Sequence, residues 1–506
     1  MSEPRQDETI GFLASPEAFG GQSPVERIDT HFSVVTMAGD RVLKLKRAIA
    51  NDLVDFSSVE KRRAACEKEL EINRRTAPAL YRRVLPITRD TSGLTLDGEG
   101  EVIDWVVEMN RFDADGLFSA IAQDGRLDAA LVDRTADTIA RFHGEAEPTP
   151  DHGGLEDMRW IVEGNLAALE LDRNADPGKV AALAEASRAL LATHGRLMEE
   201  RRQDGHTRRC HGDLHLGNIC LLDGAPTLFD AIEFNDRIAC CDLLYDLAFL
   251  VMDLWQRGLH GHANRVLNRY LWRTGDWQGL PLLPLFLSCR AAVRAKTSFW
   301  AQEVQENTEA AAQKRGEAEA YLDLALAALV RPEPSLLALG GLSGSGKTTL
   351  AMALAPERGT IPGALVVRSD VLRKQLAGQT FEKRLGSDAY GPGSSQAVYA
   401  RVGAIAGDAL DSGLCAIADA VFLRAGERNA IAEVAGSRGL AFRALWLEAP
   451  PETLTQRVEQ RSGDASDADA GVVAFQARQG PGPLDWPRLE SDKDGDAVAA
   501  RARCLI

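Results

Sequence analysis

Two short stretches of this sequence carry side chains whose types and spacing could do chemistry. In HGDLHLGN, His211 to Asn218, two histidines and an aspartate alternate, and an asparagine follows the aspartate by five positions. Such a set could ligate a metal through His211, Asp213 and His215. It could equally pair a proton-accepting Asp213 with a carboxamide, Asn218, that helps hold a hard cation. The second stretch, GLSGSGKT from Gly341 to Thr348, satisfies the phosphate-cradling pattern GxxxxGK[ST].

The second signal is the more specific, because its surroundings also fit: an apolar strand, LLALGG, precedes it and a helical run, TTLAMALA, follows. Glycines let the backbone turn tightly, so that N–H groups from Gly341 through Ser343, Gly344, Ser345 and Gly346 converge on phosphate at a helix start. Lys347 is then expected on the β- and γ-phosphates of ATP, with Thr348 on Mg2+ and Thr349 next to it on the phosphate chain. GALVVRSD reads as a strand ending at Asp370, and LCAIADA as one ending at Asp419. Ligands gather at the carboxyl ends of parallel strands, so both acids join the catalytic set, Asp419 as the one that orients magnesium through water. ETLTQRVEQR sets Arg457 and Arg461 four apart on one helix face. They could neutralise charge on a transferred phosphoryl group or line a solvated face. The polar run beyond them, Ser462 to Gly471, reads as a mobile loop.

For HGDLHLGN, the metal reading finds little support elsewhere. The remaining histidines offer no HxxxH, and their close pair, His260 and His262, stands in a polar turn with no acid beside it. The phosphoryl-transfer reading makes sharper demands and meets them. Asp230, in PTLFDAIEF, falls twelve residues after Asn218, with LLDGAP as the hairpin turn between, and can be the second magnesium-binding acid. RVLKLKR offers Lys44 and Lys46 on one strand face for the nucleotide phosphates. The residue two positions earlier shares that face and lines the adenine pocket; for Lys44 it is Val42, for Lys46 a charged lysine, so Lys44 is chosen. Glu67, Glu69 and Glu71 compete to hold it, and Glu69, with Cys66, Leu70 and Ile72 as apolar neighbours, is taken.

The strand, phosphate loop, Asp370 with Arg373, and lid arginines resemble the small P-loop kinases over roughly residues 335–485, closest to the gluconate-kinase-like, polynucleotide-kinase-like and zeta-toxin-like group. That resemblance implies that Asp370 contacts or deprotonates an acceptor hydroxyl. HGDLHLGN, with Lys44, Glu69 and Asp230, resembles the aminoglycoside phosphotransferase and choline-kinase-like branch of the protein-kinase fold over roughly residues 26–326. This implies a small lobe, a hinge near Val107–Met109 that binds adenine by backbone, and a helical large lobe. It also implies Asp213 as catalytic base, Asn218 and Asp230 on magnesium, and His211 and His215 as buttresses of the loop. The chain departs from the protein-kinase pattern in having no GxGxxG, HFSVVTMAGD standing in its place, and in following Asp230 with Ala-Ile-Glu233, a further acid beside the metal. Asp236, Asp242 and Asp246 make this region acidic, which suits either a cationic acceptor or, more simply, magnesium and helix N-termini. THFS, RVLKLKR, FDAIEFND and RSDVLRKQLAG, taken with the order of the two parts, resemble a bacterial family that fuses such a phosphotransferase to an ATP-binding domain.

These elements must be positioned by a chain of 506 residues, too long for one ordinary core. The expectation is a multidomain α+β and α/β protein. A bilobal kinase-like domain spans 1–330, with its small lobe at about 26–109 and large lobe at about 110–330. Arg331-Pro-Glu-Pro334 is a stiff linker after one long charged helix, and a P-loop domain with a parallel sheet flanked by helices covers 335–506. A net charge of −16 argues against a nucleic-acid partner. Eight cysteines without a CxxC suit a reducing compartment, and the polar N-terminus and the broken apolar run LLYDLAFLVMDLW suit a cytoplasmic protein with no membrane association. The expected function is transfer of the γ-phosphate of Mg-ATP to hydroxyls of small-molecule acceptors at two sites: sugars, amino sugars, amino alcohols or nucleoside-like compounds. The alternatives are one catalytic domain governed by a nucleotide-sensing partner, a zeta-toxin-like kinase, and a metal-dependent hydrolase.

Overall fold

The computed structural model describes residues 6–51, 53–303, 307–460, 463–492 and 494–506. The chain divides into two compact units: Met1–Arg134, Arg141–Met158 and Met198–Asp246 in the first, and Thr135–Ala140, Arg159–Leu197 and Leu247–Ile506 in the second.

The first unit holds a six-stranded antiparallel sheet in the order β1-β2-β3-β6-β4-β5. Its strands are β1 (Glu26–Asp29), β2 (Ser33–Ala38), β3 (Arg41–Lys46), β4 (Tyr81–Asp90), β5 (Gly93–Leu96) and β6 (Glu101–Asn110). Alternation along β3 sends Leu43 and Leu45 into a core with Leu13, Phe19, Val34 and Val106. Val42, Lys44 and Lys46 therefore share the opposite face. The helix Val59–Asn73 starts at Ser58, whose side chain accepts from the Lys61 N–H, and buries Arg62, Cys66, Glu69 and Asn73, one stripe at helical spacing. Cys66 packs with Val107 and Met109 of β6, which brings Glu69 onto the sheet. Two short antiparallel pairs complete the unit: β7 (Thr207–Arg209) with β10 (Cys240–Asp242), and β8 (Ile219–Leu222) with β9 (Ala225–Leu228). Asp223 and Gly224 both adopt positive φ, 50° and 77°, as a two-residue hairpin turn requires.

The second unit contains a parallel sheet in the order β12-β13-β11-β14-β15, from β11 (Ser335–Gly341), β12 (Leu365–Arg368), β13 (Ala416–Asp419), β14 (Ala441–Glu448) and β15 (Arg488–Glu490). The strands β11, β12 and β13 are buried almost throughout, as expected of a sheet with both faces covered. Their carboxyl ends bring Gly341, Arg368 and Asp419 to one rim. Helices of the chain before residue 330 belong to the same unit.

Three expectations change. The single charged helix before the prolines is two, Leu283–Glu303 and Thr308–Ala327, because Asn307 caps the second by accepting from the Glu309 N–H. Asp370 is not at a strand end: β12 stops at Arg368, and Asp370 lies in the first turn of the helix Ser369–Leu376. The loop expected to be mobile is pinned over its described residues. Asp464 accepts from Arg368, Asp469 from Arg384, and Asp467 from Lys374, Tyr390 and the Leu385 N–H.

Candidate functional site

In the first unit, Lys44 Nζ donates to Glu69 Oε1 at 2.8 Å and also contacts the Asp230 carboxylate. Glu69 is thus the partner among the three competing glutamates. Lys46, set aside as the nucleotide lysine, lies in the same cluster: its Nζ is 2.5 Å from Glu69 Oε2 and pairs with Glu233. Burial opposes ionisation of Glu69, yet Lys44 and Lys46 together hold its carboxyl well below the usual range. Burial pushes the Glu233 carboxyl up in spite of Lys46. Glu233, the further acid expected beside the metal, is thus paired with the buried Lys46. Asp230 sits at φ 62°, a region that non-glycine residues seldom occupy, and its N–H donates to the Tyr81 hydroxyl at 3.1 Å. Asn73 Oδ1 accepts from the next residue's N–H, Ala231, at 2.7 Å. The end of one helix and one buried tyrosine together fix the acid that meets Lys44.

The loop around Asp213 is held from both sides. Asn218 Nδ2 donates to Asp213 Oδ2 and to the Asp213 carbonyl, each at 2.9 Å. His215 accepts the Gly217 N–H at Nδ1, 3.0 Å, which leaves its proton on Nε2, and that nitrogen lies 3.4 Å from Asp213 Oδ2. His211 Nε2 lies 2.9 Å from the Phe229 carbonyl and so carries the proton, while Nδ1 accepts the Asp213 N–H at 3.3 Å. Burial lowers its pKa, in keeping with a neutral ring. Below the loop, Asp246 accepts the N–H groups of His211 and Gly212 at 3.1 and 2.8 Å, and His143 Nε2 lies 3.1 Å away. Gly212 is required here: its φ is 82°, and a Cβ would meet Ile232 at 3.2 Å.

These contacts remove the cationic-acceptor reading of the acidic run. Asp246 is spent on the loop, Asp242 on Arg201 and Asp236 on Arg209. Val42, Val107 and Met109 do line one apolar cluster with Cys220, Leu222 and Phe229, the last three unforeseen. The expected hinge lies at the carboxyl end of β6. β6 runs through Val107 and Met109 to Asn110, with β3 and β4 in register on its two sides, so the chain leaves the sheet only after Asn110.

In the second unit, Gly341, Gly344 and Gly346 have φ of 141°, 85° and 85°, and a Cβ on Gly344 would lie 2.5 Å from the Leu454 carbonyl. Ser343 is buried, and its N–H donates to Gln476 at 2.9 Å. Ser345 is buried and Thr349 is exposed at the start of the following helix. Lys347 Nζ donates to the carbonyls of Gly341 and Leu342 at 2.9 and 3.0 Å. Thr348 Oγ1 donates to Asp419 Oδ2 at 2.5 Å. Burial raises the Asp419 pKa against the pull of Arg368 and Lys347. Arg457 reaches the loop, donating to the Gly344 carbonyl at 3.4 Å and the Ser491 carbonyl at 2.8 Å. Arg461 lies outside the described residues. Asp370 is half-buried beside Arg368, whose charge it supports.

Both places offer oxygen donors: Asn218 and Asp230 in one, Thr348 and Asp419 in the other. Such all-oxygen sets fit a small hard dication better than zinc, whose sites are built mainly on nitrogen and sulfur. One buried trio, His143, Cys210 and Asp246, has metal-like spacing, but its carboxylate already serves two backbone amides.

Residues 26–283 match the family model described as the phosphotransferase enzyme family, and residues 336–480 match one described as an AAA domain. Uncharacterized proteins of Mycobacterium bovis and Mycobacterium tuberculosis are 32% identical over 479 residues, 90% of this chain and 90% of each of theirs. Among solved structures, a choline/ethanolamine kinase family protein from Mesorhizobium loti is similar at 15% identity and a TM-score of 0.38, over 64% of this chain and 98% of that one. A gluconokinase from Sinorhizobium meliloti is similar at 20% identity and a TM-score of 0.25, over 35% and 95%. Among the described residues no helix is long and apolar enough to cross a membrane. With its lysine–glutamate pair, its aspartate–asparagine loop and a family match over half its length, the chain belongs to the phosphotransferase enzyme family, as an ATP-dependent kinase joined to a P-loop NTPase domain.

Proposed function

We propose that the chain is a bifunctional phosphotransferase that moves the γ-phosphate of Mg-ATP to hydroxyls of small-molecule acceptors at two sites, one in 1–330 and one in 335–506. The observation that carries the first site is the Asp213 carboxylate, aimed by Asn218 and by His215. A carboxylate so held can accept the acceptor's hydroxyl proton as its oxygen attacks phosphorus. Lys44, kept cationic by Glu69 and Asp230, draws the nucleotide phosphates into line. Asn218 and Asp230 are the residues that would hold magnesium, which on binding neutralises phosphate charge. In the second site the backbone of 341–348 cradles phosphate, Lys347 pairs with it, Thr348 and Asp419 would hold the metal, and Asp370 takes the acceptor proton. Acceptors in the sugar, amino-sugar, amino-alcohol and nucleoside-like classes all offer such a hydroxyl.

Purified Asp213→Asn and Lys347→Ala chains, incubated with ATP and a panel of hydroxyl compounds, test this reading. Each variant is expected to lose one product and retain the other. One product that survives Lys347→Ala, but whose rate no longer responds to nucleotide, would instead make the P-loop site a sensor.

A further inference from the structure

The parallel sheet of the second unit stops at β12, and an edge strand has a row of N–H and C=O groups without strand partners. The helix His260–Thr274 supplies them from three side chains spaced one turn apart. Asn264 Nδ2 donates to the carbonyls of Pro362 and Ala364 at 3.1 and 3.0 Å. Asn268 Oδ1 accepts the Val366 N–H at 2.7 Å. The indole N–H of Trp272 donates to the Val366 carbonyl at 2.8 Å. Both asparagines are fully buried, so an apolar cover would leave strand polar groups unpaired. The side chains thus stand in for a further strand and fix where β12 lies.

β12 ends on Arg368, which is in register with Asp419 of β13. The Arg368 guanidinium lies 4.9 Å from the Trp272 ring, with its Nε 3.6 Å from Asp419 Oδ2 and its Nη2 2.6 Å from Asp464 Oδ1. Asp419 is the carboxylate that Thr348 bonds. Trp272 therefore touches both the backbone of the strand and the cation at its end. We infer that Trp272 is a positioning residue for the P-loop site: it fixes Arg368, and Arg368 fixes Asp419 beside Thr348. The magnesium half of that site then depends on a helix lying inside the stretch matched by the phosphotransferase family model. This rests on the P-loop being a nucleotide site, as proposed above.

The test uses the full chain carrying Lys44→Ala, which disables the other site, and compares ADP affinity in magnesium with ADP affinity in EDTA. Trp272→Leu and Arg368→Lys should each cut the magnesium-to-EDTA affinity ratio about tenfold, and the double variant should cut it no further. Trp272→Phe keeps a ring over Arg368 but loses the N–H; it should lower Tm and retain the ratio. Arg368→Lys carries the comparison if Trp272→Leu does not fold. Equal loss of affinity in magnesium and EDTA, additive effects of the two substitutions, or an unchanged ratio would each overturn the inference. If Lys347→Ala in the same background leaves ADP binding intact, it is the nucleotide reading of the P-loop that fails.

Discussion

Two lysines meet on the carboxylate of Glu69, and each also reaches a second acid: Lys44 to Asp230 and Lys46 to Glu233. Because the folded pKa of Glu69 is held below its ordinary value of about 4.3, its charge stabilises the fold at pH above that value. That stabilisation is lost as pH falls through the depressed folded value. Acid unfolding followed by circular dichroism should therefore be steeper for the parent than for Glu69→Gln below about pH 4. At Asp213 the expectation is kinetic. Asp213→Asn should lower the single-turnover rate at that site by about 10²–10⁴-fold while nucleotide affinity stays within a few-fold, since the carboxylate acts on the acceptor. Nucleotide affinity falling in parallel with rate would move Asp213 out of the base role. That Lys44 and Lys46 share a face and that Glu69 turns toward it could be read in the sequence, because the period of a strand and the stripe of a helix decide which side chains share a face. The commitment of Lys46 to Glu233 could not. It depends on where the chain returns after 187 residues, and no local pattern encodes that.

At the scale of elements, charge patterns were the least legible part. Ser462 to Gly471 reads as a solvated loop by composition, yet Asp467 is nearly buried and accepts three hydrogen bonds, from Lys374, Tyr390 and the Leu385 N–H. Asp467→Ala should free this segment, and limited proteolysis should then cleave within 463–469 many-fold faster than in the parent. Equal cleavage rates would show that these bonds do not hold the loop. Of the acids at 236, 242 and 246, Asp236 and Asp246 lie in the first turns of their helices, in keeping with the simpler reading, whereas Asp242 is buried against Arg201, which no local pattern shows. Asn307 was missed as a helix start for a smaller reason: the residues around it have helical composition on both sides. Asn307→Ala is expected to lower stability by about 1 kcal/mol in denaturant unfolding, the usual effect of losing such a cap. β3 was legible by its alternation, and β11, β12 and β13 because each is an apolar run beside a motif. β4 and β5, polar on one face and without motif residues, were not.

For the whole molecule, the central claim is that one polypeptide holds two nucleotide sites of unrelated construction. On that claim one would grip phosphate with a strand lysine braced by a helix, the other with backbone amides at the start of a helix. The linker prolines and the two motifs were visible in the sequence. That helices from before the linker pack in one unit with the parallel sheet was not, since it is written in Asn264, Asn268 and Trp272, which look unremarkable on a polar helix. Titration calorimetry with a non-hydrolysable ATP analogue in magnesium tests the claim most directly. Two analogues bound per chain, falling to one in Lys347→Ala and to one in Lys44→Ala, is the predicted result. A stoichiometry of one in the intact folded chain would contradict it.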